Sequence, residues 1–373
     1  MAYDPSVPNA FDTSLIPYDV RSEYFTELIE TSPFINFTGS TKDSVIQVVY
    51  LENGSGGSTT FSFKQELDYT KKVRGFGQIS GNGQQVKFFQ DKIEVEIQSF
   101  SDQLQGVQVV KLQTPIQVYD ALKPSLITAH KRDVVHSLLK SATFDSYSAN
   151  FAAGPVADRV QYGTDATPGA NYNASMITAA DALAGNAYGT GGLSVDAIKN
   201  MRRMAMQGGV VYEREKRINP YEQKTLRGAP CPMFVYFMSP SSYKSLEGDP
   251  QWNQYYNRAL IELPNQPSGL NGSLFRGQID GVLVYEVQEL EKFRLGTDQG
   301  FARSNAWNLF CGAQAFGLAW HGIPWFEQEF RNMRTEVQMA YLEFRGEKPI
   351  KFPSFTNPNV AIENAIIHHI VRL

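Results

Sequence analysis

The sequence predicts an α+β protein, and three stretches carry that prediction. From Val45 to Phe100, apolar and polar side chains alternate in the manner of half-buried strands. Thr114 to Thr143 forms one long amphipathic stretch with apolar residues at helical spacing. From Pro232 to the C-terminus, apolar runs of strand length alternate with capped helix starts.

Residues 1 to about 44 carry Pro5, Pro8, Pro17 and Pro33, few charges and the aromatics Phe11, Tyr18, Tyr24 and Phe25. Such a segment builds no core and is too apolar for a free tail, so it reads as an arm along another surface. Tyr24 to Ile29 reads as one or two helical turns. Val45–Tyr50 is a strand, Gly54–Gly57 a turn, and Phe61–Phe63 and Ile93–Ile97 alternate. Between them lies a loop with Gly75, Gly77, Gly81 and Gly83. Residues 64 to 92 hold Lys64, Lys71, Lys72, Arg74, Lys87 and Lys92 against Glu66, Asp68 and Asp91, a local charge of +3. A two-stranded ribbon of this length has little core and needs a neighbour to lie on.

In the long helix, Ile127, Val134, Leu138 and Leu139, with Val135 and Ala142, form the apolar stripe. Lys131, Arg132, Asp133 and Lys140 fill the other face. Pro124 implies a kink or a fresh start with proline near the first position. Phe144–Gly192 is poor in charge and reads mostly as loop, with a short helix after Thr178, where Asp181 completes a Thr-x-x-Asp capping pattern. Ser194 caps a second helix to about Gln207, with Ile198, Met201 and Ala205 as its stripe and Gly208-Gly209 as its stop.

Met233–Met238 has the length of a buried strand. Ser239-Pro240 starts a helix ending by Gly248, and Asp249-Pro250 starts another through Trp252 and Tyr256. Asp280-Gly281 is a turn before a strand at Val282–Val287. Asn305–Trp320 is apolar with small residues interleaved, a buried helix or a strand–turn unit. Glu336–Phe344 and Ile362–Val371 read as strands, and no internal repeat is visible.

A chain of 373 residues is long enough for two or more compact units. Its 42% hydrophobic and 12% aromatic content excludes global disorder. A net charge of -4 argues against a dedicated nucleic-acid binder, although a container for nucleic acid need not be basic. Two cysteines, Cys231 and Cys311, suit a reducing compartment. The N-terminus lacks the pattern of a signal peptide, and no apolar run approaches the roughly 20 residues of a membrane span. The expectation is a soluble chain made in a cytoplasm.

Signatures of catalysis are sparse. H-E-x-x-H, G-x-x-x-x-G-K and G-x-S-x-G are all missing from the sequence. Gly75-Phe76-Gly77-Gln78-Ile79-Ser80-Gly81 is one residue too long for a dinucleotide fingerprint. Ser241-x-x-Lys244 and Ser137-x-x-Lys140 match serine–lysine spacing, but neither S-D-N nor K-T-G follows, so both lysines read as solvated. Glu94 and Glu96 share a strand face with Lys92, and a solvated surface explains them better than a carboxylate pair. His368 and His369 point to opposite faces of a strand, and His130 and His136 lie about 120° apart on a helix, so neither pair shares a metal. The cysteines and Trp307, Trp320 and Trp325 read as core or interface, and Arg202 and Arg203 as a solvated helix face. No cofactor or metal is expected. A sticky arm, a ribbon without a core and a compact α+β body point to assembly.

In that order of parts the chain resembles the major capsid proteins of tailed bacteriophages, the Hong Kong 97 capsid fold, and within them the capsid family of certain short-tailed phages. Asp43-Ser44-Val45, Met238-Ser239-Pro240-Ser241-Ser242-Tyr243 with Trp252-Asn253, and Ile279-Asp280-Gly281-Val282 are similar to that family. So are Leu309-Phe310-Cys311-Gly312-Ala313-Gln314-Ala315 and Phe344-Arg345-Gly346. The resemblance spans roughly residues 36 to 371, and the order and spacing of the motifs make it specific. An insertion-like Glu52–Thr60 and the charge-poor segment 144–192 depart from the pattern.

The resemblance implies an N-terminal arm over residues 1–44 and an extended β loop over 45–98. It implies a peripheral domain over 99–225, holding the spine helix and the 194–208 helix, an axial domain over 226–330, and return strands over 331–373. It implies a shell of hexamers and pentamers around double-stranded DNA, contacted without sequence specificity, with a portal protein at one vertex and a separate scaffolding protein. Whether a decoration protein binds is left open. Lys71, Lys72 and Arg74 are the expected contacts from the β loop to a neighbouring subunit. The rivals are an encapsulin-type compartment with the same fold, and an enzyme with an unrecognised site.

Overall fold

The computed structural model describes residues 34, 37–51, 57–64, 88–105, 118–145, 159–162, 192–208, 217–224, 230–254, 274–293, 305–331, 336–353 and 361–372. In chain order the strands and helices are β1 (Thr38–Gly39), β2 (Ile46–Leu51), β3 (Ser58–Lys64), β4 (Phe88–Glu94), β5 (Glu96–Gln105), α1 (Val118–Lys140), β6 (Val160–Tyr162) and α2 (Val195–Gln207). They continue with β7 (Tyr221–Lys224), β8 (Pro230–Met238), α3 (Pro240–Glu247), β9 (Phe275–Ile279), β10 (Val282–Glu286) and a 3-10 turn at Gln288–Phe293. The chain closes with β11 (Asn305–Cys311), β12 (Phe316–Arg331), β13 (Glu336–Pro349), β14 (Lys351–Pro353), β15 (Ala361–Glu363) and β16 (Ile366–Arg372).

Two sheets organise these elements. One has five strands in the order β1-β2-β12-β13-β5. The other has seven, in the order β6-β16-β11-β8-β10-β9, with β7 beside β8. The turn at Ala313-Gln314 passes the chain directly from β11 of the second sheet to β12 of the first. This resolves Asn305–Trp320 as strand, turn and strand, and every residue from Ala306 to Trp320 is buried. A continuous apolar run suits strands covered on both faces.

Helix α1 packs on β5 and β13 of the five-stranded sheet and against the 3-10 turn at Gln288–Phe293. Val134, Val135, Leu138, Leu139 and Ala142 are buried, as their spacing requires, while Arg132 and Lys140 are exposed. His130 meets the Tyr341 ring of β13 at 4.4 Å, and His136 stacks on Phe293 of the 3-10 turn at 5.0 Å. Lys292 lies near His136, and burial and that positive charge lower its pKa. The sequence suggests a fresh helix start or a kink at Pro124; one continuous helix runs through this position. The helix closes in a π turn over Ser141–Asp145, where Ser141 and Thr143 donate their hydroxyls to the Leu138 and Leu139 carbonyls, each at 2.8 Å.

Local signals place α2 and α3 well. The Ser194 side chain accepts from the Ala197 amide, and Gly208 ends α2 at φ 88°. Ser239 caps α3 with Pro240 at its first turn. Asp280 and Gly281, at φ 44° and 81°, form the tight hairpin turn between β9 and β10. Helix α2 sits against β9, and its Val195 amide donates to Asp249 at 2.8 Å. The helix therefore lies against the seven-stranded sheet. Ile362–Val371 divides into β15 and β16, and a further difference is at Val95. Ile93–Ile97 reads as one alternating strand, but the Val95 amide turns away to the Gly57 carbonyl at 2.8 Å, so β4 pairs with β3 and β5 with β13.

Candidate assembly surfaces

The ribbon is the hairpin of β3 and β4, in register from Ser58 opposite Glu94 to Lys64 opposite Phe88. Its root is seated on its own subunit. Phe61 and Ile93 are buried together with Ala319 of β12 and Ile350. The seat needs two glycines: a Cβ on Gly346 would stand 2.1 Å from the Glu94 carbonyl oxygen, and one on Gly317 would stand 2.5 Å from Ile93 Cδ1. Asp91 adds a polar latch, accepting from Lys348 Nζ and, at 2.8 Å, from the Lys351 amide. Burial lowers the pKa of Lys351 itself. The neighbour that a ribbon without a core needs is thus, at its root, the body of the same chain. Residues 65–87, which join β3 to β4 and carry Lys71, Lys72 and Arg74, lie outside the described residues, as do the arm before Phe34 and the segment around Thr178.

On the α1 side of the five-stranded sheet is a sealed charge cluster. Arg345 of β13 is 0% exposed. It donates to Glu343 at 2.5 Å, to Gln98 of β5 at 2.5 Å, to Glu347 at 3.2 Å, to Ser137 of α1 at 3.2 Å and to Asp133 of α1. Glu343 also accepts from Trp320 at 3.1 Å and Tyr341 at 3.0 Å, and lies 2.6 Å from His130 Nε2. Burial alone would push the Glu343 carboxyl up, but the His130 hydrogen bond and the Arg345 guanidinium outweigh it and hold it low. Burial works against the Arg345 charge too, and Glu343, Glu347 and Asp133 more than restore it. Acid, base and imidazole are all present, and His130 and Glu343 are closed to solvent. The cluster locks α1, β5 and β13 together. Sequence reasoning missed it; the local trace is Glu343 and Arg345 alternating with the apolar Tyr341, Leu342 and Phe344 of β13.

The seven-stranded sheet holds its own buried polar groups. His368 Nδ1 accepts the Trp307 indole N–H at 3.1 Å, which leaves the proton on Nε2 for Glu363 at 2.5 Å. On the opposite face His369 Nδ1 lies 2.7 Å from the Tyr236 hydroxyl, so the two histidines diverge as their adjacency requires. Burial pushes the Tyr236 hydroxyl and the Cys311 thiol well up. The Cys231 side chain lies outside the described residues. Ser241 bonds Glu291 rather than Lys244, which is exposed, and Lys92 pairs with Glu94 at the surface at 3.0 Å. Trp307 and Trp320 are buried. Among the described residues no group of three or more His, Cys, Asp or Glu is placed to hold a metal, and no helix is long and apolar enough to cross a membrane.

What the described surface offers is contact. Ile97 is 62% exposed and Tyr50 56%, on opposite faces of the five-stranded sheet.

Comparison with known proteins bears on that surface. A family model for phage capsid protein matches residues 16–354. No curated protein matches the chain. The capsid of Ralstonia phage GP4 superposes with a TM-score of 0.66 at 19% identity, over 99% of this chain and 96% of that one. The capsid asymmetric unit of cyanophage Pam1 gives 0.63 at 18% identity, over 100% and 99%. The acid-stable capsid of Helicobacter pylori bacteriophage KHP30 gives 0.61 at 14% identity, over 92% of each. These likenesses establish the Hong Kong 97-type α+β fold. The family match covers most of the chain, so this protein belongs to the phage capsid protein family, as a major capsid protein that self-assembles into the virion shell.

Proposed function

We propose that the chain forms an icosahedral shell of hexamers and pentamers around a double-stranded DNA genome, assembled in the host cytoplasm, and that it catalyses no reaction. The observation that carries this reading is the ribbon. Its root is fixed to its own subunit by Phe61, Ile93 and Asp91, and the sequence joining its two strands, residues 65–87, carries a basic excess suited to a neighbour's carboxylates. Lys71, Lys72 and Arg74 contact a neighbour's carboxylates in this account.

The extended β loop then comprises 45–98, although β2 belongs to the five-stranded sheet. The peripheral domain is built on α1 and that sheet, and the axial domain on the seven-stranded sheet with α2 and α3. A portal protein at one vertex and a separate scaffolding protein complete the assembly, and packaged DNA meets the inner surface without sequence preference. Repeated heterologous contact between identical subunits closes such a shell.

The test is the triple variant Lys71→Glu, Lys72→Glu, Arg74→Glu. It keeps the subunit folded and abolishes shells in electron micrographs. Normal shells from that variant would overturn the reading.

A further inference from the structure

The two sheets are joined by contacts of two kinds. At the crossing from β11 to β12 the contact is backbone. The Gly312 amide donates to the Ala365 carbonyl at 2.9 Å, on the seven-stranded side. The Gln314 and Ala315 amides donate to the Ser44 and Val45 carbonyls at 2.7 and 2.9 Å, on the five-stranded side. A Cβ on Gly312 would stand 2.4 Å from the Asn219 carbonyl oxygen, so a third segment closes on the same point. None of these backbone groups titrates, and the crossing is a fixed pivot. The second contact is made by side chains. Helix α1, packed on β5 and β13, meets the 3-10 turn Gln288–Phe293, which itself rests on β11 and α3.

His136 sits in that second contact. Its ring stacks on Phe293, with centroids 5.0 Å apart and planes 24° from parallel. Its Nδ1 is closed to water and meets no hydrogen-bond partner. A neutral imidazole tolerates this, because it keeps its proton on Nε2 and leaves Nδ1 bare. An imidazolium carries both protons, and its Nδ1 donor would be buried without an acceptor. The surrounding charges do little to help. The 3-10 turn presents Lys292 and Glu289, and α1 presents Asp133 and Lys140. Both carboxylates are already engaged, Glu289 with Lys292 at 2.5 Å and Asp133 with Arg345. Glu291 turns to Ser241 of α3. Burial and the Lys292 charge lower the His136 pKa, so the attraction of a cation to the Phe293 face offsets only part of the penalty.

We propose that the His136–Phe293 contact is a proton-operated joint between α1 and the 3-10 turn of the seven-stranded side. While His136 is neutral, its ring holds the helix to the turn. When it takes a proton the two part locally, and the sheets reset about the backbone pivot without either one unfolding. The sign follows from the depressed value of the imidazole in the fold. The contact is complete above the unfolded histidine value, about 6.5, and weakens as pH falls from there through the lower folded value. Its onset lies above the acid range in which Glu343 titrates, so the two effects separate.

The experiment is amide hydrogen exchange of the full-length chain, under conditions that keep it monomeric, with rates corrected for the intrinsic effect of pH. The 3-10 turn at Gln288–Phe293 is the reporter and β11 the internal reference. From about pH 7.5 to about pH 5.5, a unit either side of the free imidazole value, the turn loses protection severalfold while β11 keeps it. His136→Phe, which stacks but takes no proton, keeps the turn protected at both. Lys292→Met removes the repelling charge and releases Glu289, so its turn loses less protection than the native one. That variant carries the test if His136→Phe does not fold. Unchanged protection in the native chain would overturn the inference, as would a loss in either variant equal to the native loss. A loss in β11 in step with the turn would mean general acid unfolding, and would overturn it too.

Discussion

His130 Nε2 on α1 lies 2.6 Å from Glu343 Oε1 on β13, 213 residues away in sequence, and both side chains are closed to water. This contact and the Arg345 fork beside it join the long helix to the sheet that carries the ribbon.

Replacing Glu343 with Ala leaves Arg345 with less countercharge in a dry site. Breaking a buried ion pair costs about 3–5 kcal/mol, so urea unfolding of the monomer should shift by that amount. The pH dependence has a defined sign. Glu343 titrates below its ordinary value in the fold. Its stabilisation is therefore full above the unfolded glutamate value, about 4.3, and is lost as pH falls through the lower folded value. Glu343→Gln removes that component, so its stability declines less steeply than the native chain's across this acid window. Parallel declines would show that Glu343 does not contribute there.

Arg345→Lys retains the charge but loses the planar fork. A single ammonium cannot reach Glu343, Gln98, Glu347 and Asp133 together. Destabilisation of about 1–3 kcal/mol is expected from the donors lost to buried acceptors. A chain as stable as the native one would mean that charge alone, and not the fork, matters at this site.

The two ribbon-seat glycines should respond unequally. A Cβ on Gly346 meets the Glu94 backbone carbonyl, which moves only if the ribbon moves, whereas a Cβ on Gly317 first meets the flexible end of Ile93. Gly346→Ala is expected to cost about 1–3 kcal/mol by overpacking, and Gly317→Ala less. Limited proteolysis within residues 65–87 should accelerate in Gly346→Ala first. Equal effects would argue against a backbone clash.

Asp249 serves two helices. One carboxylate oxygen accepts from the Val195 amide that opens α2, at 2.8 Å, and the other from the Gln251 amide, at 2.9 Å. Asp249→Ala removes both bonds and should lower stability by about 1–2 kcal/mol, at the upper end of a single cap. A loss no larger than that of Ser194→Ala would show that the second bond adds nothing.

These sites differ in how far the sequence reveals them. Ser194, Gly208, Ser239-Pro240 and Asp280-Gly281 act on backbone groups within a few residues, so their signals are local and readable. The alternation Ile93-Glu94-Val95-Glu96-Ile97 is equally readable but misleading, because the break at Val95 depends on Gly57, far away in the chain. The charge cluster joins α1 and β5 to β13 across more than two hundred residues, and no spacing rule connects them. Glu343 and Arg345 even argue the wrong way, since alternation alone would place charges outward and Phe344 inward. The capsid family was legible because it rests on the order of short motifs, whereas which side of the five-stranded sheet is covered depends on the distant α1.

The central claim is that this chain is a shell-forming subunit, and electron microscopy of the purified full-length protein, alone and with a candidate scaffolding protein, tests it most directly. Closed shells or rings of capsomers are the predicted result. A monodisperse monomer under both conditions, even when concentrated, would contradict it.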